Sequence, residues 1–340
     1  MDILGQVAPV VLGEAAKYIS KKTTLPADEL AASAAKNDTT AIRKQLDRDP
    51  YVNRGPALVV ASSAGYLSSL DLLLEPTAPA LSSKHRAHEH EHHNQKIDLD
   101  VWASGTTPLL AAVRNHHCQT AKFLLEEGAD PDLCPKSGIT ALQEASQSGD
   151  LDIVRVLLLY GAKVNHQDHV GDTPLIVACR WGHAHTARCL LQNGARINEV
   201  NDKGSSALSV AAKHHNVDAV EELLDEKWEK GGVGREGRGR GRGVNVNARD
   251  RKGRTPLHRA VEGIWLLEGV GSDTKEEVVK LLLDKGADPR IRDKEGKTPG
   301  DRAGWLSGGD GLRKLLEEGR RASPGRSRVR AYSHSRATTF

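Results

Sequence analysis

The apolar residues of the chain fall into short groups whose spacing predicts pairs of helices. Ala111-Ala112 is followed further along the chain by Leu124-Leu125, and a more polar stretch separates the two groups. Apolar residues three and four positions apart share one face of a helix, so each group predicts one helix and the two groups predict an antiparallel pair. Gly128 follows the second group, at the place where a left-handed residue ends a helix.

A short motif marks the start of each predicted pair and repeats on a fixed period. In Thr107-Pro108-Leu109 the Thr hydroxyl can cap a backbone N–H, and Pro suits the first helical position because it lacks that donor. Four copies are spaced by 33 residues, and later steps of 49 and 43 residues indicate insertions of 16 and 10 residues. The copies begin at Gly105, Gly138, Gly171, Gly204, Gly253 and Gly296. A Gly-Ala marker keeps the same period at Gly128, Gly161, Gly194 and Gly286.

The period and both markers resemble the ankyrin repeat, and the segment Thr255-Pro256-Leu257-His258-Arg259-Ala260 is the best copy of its signature. The resemblance covers roughly residues 30 to 319. It implies an all-α repeat solenoid of helix-turn-helix repeats with projecting β-turn or hairpin fingers. The Asp-x-x-Gly turn that precedes a repeat, as at Asp168 and Asp250, predicts such a finger.

The ends and the insertions divide the chain into four segments. Residues 1–22 contain an apolar stripe from Val7 to Ile19 that predicts an amphipathic helix, which packs on the first repeat or meets a partner helix or a membrane surface. Residues 23–50 predict a degenerate helical cap. Residues 51–319 form the array, with insertions at about 76–100, 229–243 and 263–274, and residues 320–340 predict a disordered basic tail. We expect about seven units, caps included.

Composition and charge narrow the class of protein. Aromatic residues make up 4% of the chain and Met occurs once, which suits thin helical layers better than a thick core. The net charge of +3 conceals six Arg and no acid in residues 320–340, so the folded part is net negative and its affinity for nucleic acid is not favoured. No apolar run approaches the ~18 residues of a membrane span. Four cysteines without a CxxC pair favour a reducing compartment, cytoplasmic or nuclear.

The chain carries no motif for catalysis or for a cofactor. It has no phosphate-binding loop, no nucleophile elbow and no HExxH helix, so we expect no enzyme, no cofactor and no defined metal site. The segment from Lys84 to His93 contains five His, which predicts a solvated loop or, as the alternative, a loop that chelates a transition metal.

The resemblance implies a binding surface on the concave face, formed by the exposed ends of the first helices and by the fingers. Register assigns the helix positions to Arg114, Asn115, Gln147, Arg180, Trp181, Lys213 and His214, and the finger positions to His169, Asp172 and Lys203. Trp181 is the expected anchor, because large aromatic residues dominate binding energy at interfaces. The alternative is that Trp181 covers the neighbouring repeat.

These assignments predict a protein–protein interaction module or adaptor without catalytic activity. Basic residues dominate the predicted surface, which favours an acidic or phosphorylated protein partner. The alternative is RNA or another polyanion bound by the Gly-Arg insertion at 237–243 and by the Arg-rich tail.

Overall fold

A computed structural model describes residues 26–75, 97–228, 243–262, 272–303 and 310–321. The predicted N-terminal helix, the His-rich segment, nearly all of the Gly-Arg insertion and the basic tail lie outside these residues. The chain divides into two compact units, residues 1–169 (unit 1) and 170–340 (unit 2). Within the described ranges, no helix has the length and apolar character needed to cross a membrane.

Each unit contains four pairs of helices in its described residues, and each pair matches one repeat. In unit 1 the pairs are α1 (Pro26–Ala34) with α2 (Thr39–Arg48), α3 (Gly55–Ala64) with α4 (Leu67–Leu74), α5 (Pro108–Arg114) with α6 (Cys118–Glu126), and α7 (Ala141–Ser148) with α8 (Leu151–Leu159). In unit 2 they are α9 (Pro174–Trp181) with α10 (Ala184–Gln192), α11 (Ala207–Lys213) with α12 (Val217–Leu223), α13 (Pro256–Glu262) with α14 (Ser272–Asp284), and α15 (Pro299–Ala303) with α16 (Asp310–Arg321).

The predicted capping residues begin the first helices. The Thr107 hydroxyl accepts from the Leu110 N–H at 3.3 Å, and the Thr173 hydroxyl accepts from the Ile176 N–H at 3.3 Å. Pro follows each of these Thr residues. Because Pro has no N–H group, the first position of the helix has no donor that needs a partner. At α7 the cap is reciprocal, because the Thr140 N–H also donates to Oε1 of Gln143 at 3.0 Å.

Stacking follows the same rule in both units. First helices pack on first helices, as α3 on α5 and α11 on α13, and second helices pack on second helices. Small residues at the contact let the backbones approach, and Ala112, Ala145, Ala178 and Ala211 are all fully buried. The prediction of an all-α repeat solenoid is confirmed, with no strand in the described residues.

The fingers are turns held by backbone and side-chain hydrogen bonds. In unit 2 each finger joins the next through one backbone bond, such as the Arg251 N–H to the Lys203 carbonyl at 3.0 Å. The carboxylate of Asp250 accepts from the Lys252 and Arg254 N–H groups at 2.8 and 2.9 Å, which closes the turn. Gly204 has φ +71°, and a Cβ there would lie 2.9 Å from the Arg251 nitrogen, so the approach of the next finger requires glycine.

The ends of the array are more regular than the sequence pattern indicates. The described part of the predicted cap, residues 26–50, holds a complete helix pair, and Asp38 caps the second helix by accepting from the Ala41 N–H at 2.9 Å. The described residues therefore hold eight helix pairs, one more than the predicted number of about seven. Leu99, near the end of the predicted first insertion, is buried. At the other end Leu312 and Leu316 of α16 are buried against α14 and α15.

Candidate functional site

The predicted surface residues of unit 1 lie at the ends of α5 and α7 and on one finger. The Arg114 guanidinium donates twice to Oε1 of Glu144, through Nε at 2.8 Å and Nη2 at 2.6 Å. Asn115 is half-buried, and its Nδ2 donates to the Ser63 hydroxyl at 3.2 Å and to the Ala111 carbonyl at 2.8 Å. Arg114 is therefore held by a neighbour on the surface, whereas Asn115 links two repeats.

Gln147 and His169, the other two predicted residues of unit 1, are exposed. The backbone N–H of His169 donates to the Ser137 carbonyl at 3.2 Å, which joins two fingers. Its ring lies over Gly138, since a Cβ built at that glycine would be 2.9 Å from Cδ2 of His169. The exposed imidazole of this finger therefore lies beside the preceding finger.

In unit 2 a buried carboxylate positions Arg180. Asp172 is only 1% exposed, and its Oδ2 accepts from Nη2 of Arg180 while its Oδ1 accepts from Nδ2 of Asn201 at 2.8 Å. Oδ1 of Asn201 in turn accepts from the Lys203 N–H at 3.0 Å. One chain of hydrogen bonds therefore runs from the first helix of one repeat to the finger of the next.

This burial corrects the prediction for Asp172. The register placed Asp172 among the residues that contact a partner, but both of its oxygens are engaged inside the unit. A buried carboxylate without partners is costly, so its neighbours are cationic or donate hydrogen bonds. Asp172 positions Arg180, whose side chain remains 32% exposed.

Trp181 is the last residue of α9 and is 55% exposed. The next residue, Gly182, adopts φ +81° and ends the helix by turning the chain away. The indole therefore lies at a helix end with more than half of its surface exposed. Exposed aromatic side chains of this size are the residues that anchor interfaces.

Lys203, Lys213 and His214 are the remaining predicted residues of the unit 2 surface. Lys213 and His214 end α11 and are half-buried, whereas Lys203 on the preceding finger is exposed. Burial lowers the pKa of Lys213, and the positive charges of Arg259, Lys203 and Arg180 lower it further. Burial is the main cause that lowers the pKa of His214 to about 4, and the positive charges of Lys213 and Arg180 also contribute. Its imidazole is therefore neutral near pH 7.

The structure adds one residue that register did not select. Arg259 of α13 faces Lys213, and its Nε and Nη2 donate to Oδ2 of Asp250, with the Nε contact at 2.9 Å. Arg259 occupies the variable position of the Thr-Pro-Leu-His-x-Ala signature, and that position was the signal that could have identified it. We call Arg180, Trp181, Lys203, Lys213, His214 and Arg259 the inner surface of unit 2.

The described residues offer no metal site and no paired thiols. No group of three or more His, Cys, Asp or Glu side chains comes together in those parts of the chain. The four cysteines are free, and Cys179 and Cys189 are buried. Cys179 is fully buried in the core, and this burial raises the pKa of its thiol.

Comparison with known proteins agrees with the geometry. The sequence model for ankyrin repeats in three copies matches residues 30–135, 58–168 and 142–232, and the single-repeat model matches residues 252–294. No curated protein sequence matches the chain.

Two solved structures are similar to this chain over nearly their own full length. The ankyrin repeat protein EF0377 is 28% identical, with a TM-score of 0.52 over 64% of this chain and 99% of that one. An ankyrin repeat domain from Acinetobacter baumannii AYE is 30% identical, with a TM-score of 0.51 over 62% of this chain and 97% of that one. The repeat geometry, the sequence models and these structures agree that the chain belongs to the ankyrin-repeat family.

Proposed function

We propose that this protein is a non-catalytic interaction module or adaptor that holds a protein partner against the inner surface of unit 2. Ankyrin repeats generally mediate protein–protein interaction, and proteins of this family are typically non-catalytic. The observation that carries the proposal is the exposure of Trp181, at 55%, next in the chain to Arg180, whose guanidinium is held by Asp172. A large exposed aromatic residue next to fixed charges is the usual composition of a binding hot spot.

The chemistry of the inner surface favours an acidic partner. Lys203, Lys213 and Arg259 surround the end of α11, and acidic groups of a partner would relieve their mutual repulsion. The predicted residues of unit 1, Arg114, Asn115, Gln147 and His169, form a second and less cationic candidate surface. A cytoplasmic or nuclear location is part of the proposal, since the free cysteines suit a reducing compartment.

The test requires a variant that removes the anchor and spares the fold. Arg180→Ala is unsuitable, because it would leave the buried carboxylate of Asp172 without its cation. Trp181→Ala removes an exposed side chain from a helix end, so we expect the free energy of unfolding to change by less than about 1 kcal/mol. Partner binding should weaken by about 30-fold or more, which corresponds to about 2 kcal/mol.

The matched control is Leu159→Ala, which removes another exposed apolar side chain, at 78%, from the second helix α8. Proteins captured from lysate by the wild type would be quantified for both variants, and the affinity of each captured protein would then be measured with purified components. Loss of binding with Trp181→Ala alone supports the proposal. Equal binding by wild type and Trp181→Ala, or loss with Leu159→Ala only, would contradict it.

A further inference from the structure

Four cations from three neighbouring repeats of unit 2 lie close enough to the end of α11 for their charges to act on one another. Lys213 ends this helix, Arg180 comes from α9, Lys203 from the finger before α11, and Arg259 from α13. The helices α9, α11 and α13 pack side by side, which brings these residues to one place. The positive charges of the other three act directly on the Lys213 ammonium.

Two of the four cations are fixed by buried carboxylates. Asp172 holds Arg180, and Asp250 holds Arg259 through two guanidinium nitrogens. The remaining lone pairs of both carboxylates accept from Asn201 and from finger N–H groups, so neither carboxylate can swing toward a ligand. The guanidinium groups are therefore oriented before anything binds, which lowers the entropy cost of binding.

The other two cations form no salt bridge with a described residue. Asp202 precedes Lys203 in the chain, but its carboxylate lies against the preceding finger. Its Oδ1 is 3.1 Å from the position that a Cβ at Gly171 would occupy. Glu262 of α13 lies 3.8 Å from Nη1 of Arg259 and also acts on Lys213, but its closer partners are Arg254 at 2.7 Å and Arg302 at 3.0 Å. Asp172 and Asp250 pair with Arg180 and Arg259, whereas Lys203 and Lys213 are in no salt bridge with a described residue, so the cluster keeps an excess of positive charge.

We infer that this cluster, with Lys213 at its centre, is a subsite for the phosphoryl group of a phosphorylated side chain on the protein partner. The inference rests on the proposed function and specifies the chemistry that the inner surface of unit 2 recognises. A phosphoryl group carries about −1.5 to −2 charges near pH 7, which matches the excess charge of the cluster. Its three oxygens can accept from donors on several sides at once, as this convergent arrangement requires.

Neighbouring side chains of the inner surface fit the same occupant. His214 follows Lys213 and is neutral near pH 7, so its ring can donate a hydrogen bond to a phosphoryl oxygen without adding repulsion to the cluster. Trp181 follows Arg180 in the chain and offers an apolar surface for a residue that flanks the phosphorylated position. Two adjacent carboxylates would carry the same total charge, but they are planar and spread over a longer segment.

The experiment measures binding of the full chain to three pools of degenerate nonapeptides. The central residue is phosphoserine in the first pool and serine in the second, and the third has two adjacent aspartates at the centre. We expect the phosphoserine pool to bind at least about tenfold more tightly than either other pool, and to weaken with added salt. The double variant Lys203→Gln, Lys213→Gln should lose that preference to within about threefold.

The matched control is Lys122→Gln, which removes one exposed lysine from α6 of unit 1 and should keep the preference. Circular dichroism would verify that each variant is folded. Equal binding of the phosphoserine and serine pools would overturn the inference, and so would a preference retained by the double variant. Equal binding of the phosphoserine and aspartate pools would assign the cluster to paired carboxylates and overturn the phosphoryl assignment.

The failure of this inference can be separated from that of the proposed function. If Trp181→Ala loses its protein partner while no pool is preferred, protein binding stands and the phosphoryl subsite does not. The opposite result is a phosphoserine preference that depends on Lys203 and Lys213, together with partner affinity that Trp181→Ala does not change. In that case the anion site stands and the role of Trp181 as anchor does not.

Discussion

The two units begin and end their helices by the same rules, but they hold the arginines of their first helices differently. In unit 1 Arg114 meets Glu144 at the surface, where the side chains are 40% and 19% exposed. In unit 2 Arg180 and Arg259 are bound by carboxylates that are at most 2% exposed. The repeat scaffold therefore tolerates either arrangement, and the buried carboxylates are what give unit 2 cations of fixed orientation.

The largest contrast should come from removing an acid from each unit. Asp250→Ala strands Arg259 and leaves two finger N–H groups without their acceptor, so we expect it to lower the free energy of unfolding by about 3–5 kcal/mol. Glu144→Ala removes one acid from a partly exposed pair and should cost less than about 1 kcal/mol. Urea unfolding followed by circular dichroism measures both, and equal losses would contradict the distinction between the units.

A glycine in each unit offers the next contrast. Gly105 of unit 1 and Gly204 of unit 2 have φ of +76° and +71°, so alanine at either position costs about 1–2 kcal/mol in backbone strain. At Gly204 the new methyl would also meet the Arg251 nitrogen at 2.9 Å, whereas at Gly105 it would meet nothing within 4 Å. We therefore expect Gly204→Ala to be less stable than Gly105→Ala by about 1–3 kcal/mol. Thermal unfolding of the two variants measures this difference in stability. A smaller difference would show that the fingers of unit 2 move apart to make room for the methyl group.

The fold was predictable from the sequence because its causes are local. Thr107 and Thr173 cap helices through atoms three residues away, and Gly128 and Gly182 end them through their own backbone angles. These interactions recur at a fixed period, so a repeated pattern identifies them. The complete helix pair at 26–48 was missed as such because its cap, Asp38, lies outside the repeating motif.

The pairing of side chains was not predictable in the same way. Register assigned the positions of Arg180, Trp181 and Lys213, but nothing in the spacing shows that Asp172 is buried. Its burial depends on Asn201, which lies 29 residues further along the chain and reaches back from the next finger. Such contacts depend on how far side chains extend between repeats, and a one-dimensional pattern does not contain that information.

Acid should affect the two units differently through their capping residues. In unit 2 the Thr255 N–H donates to Nδ1 of His258 at 3.2 Å, which is the contact that Gln143 makes in unit 1. Burial lowers the pKa of His258 in the folded chain. The unfolded chain therefore takes up the proton first as the pH falls, so stability from His258 is complete above about pH 6.5 and is lost below it.

Exchanging the two capping residues tests this difference. His258→Gln should reduce the loss of stability below pH 6.5, by up to about 1.4 kcal/mol for each pH unit. Gln143→His should introduce a comparable loss in unit 1, because the new imidazole would occupy a buried capping position. Urea unfolding at pH 7 and at pH 5 measures each change. Unchanged pH dependence in His258→Gln would show that the other histidines of unit 2 carry the effect.

The smallest effect should be the coupling between Arg114 and Glu144. A double-mutant cycle to alanine at these two positions should give a coupling free energy of about 0.5 kcal/mol at low salt, because water competes for both side chains. Added salt at about 1 M shortens the Debye length to about 3 Å and should remove most of that coupling. The coupling of Arg259 to the buried Asp250 should persist under the same conditions, since counterions cannot approach the carboxylate. A salt-resistant coupling at Arg114 would contradict the difference between the units, because unit 1 would then also hold an arginine of fixed orientation.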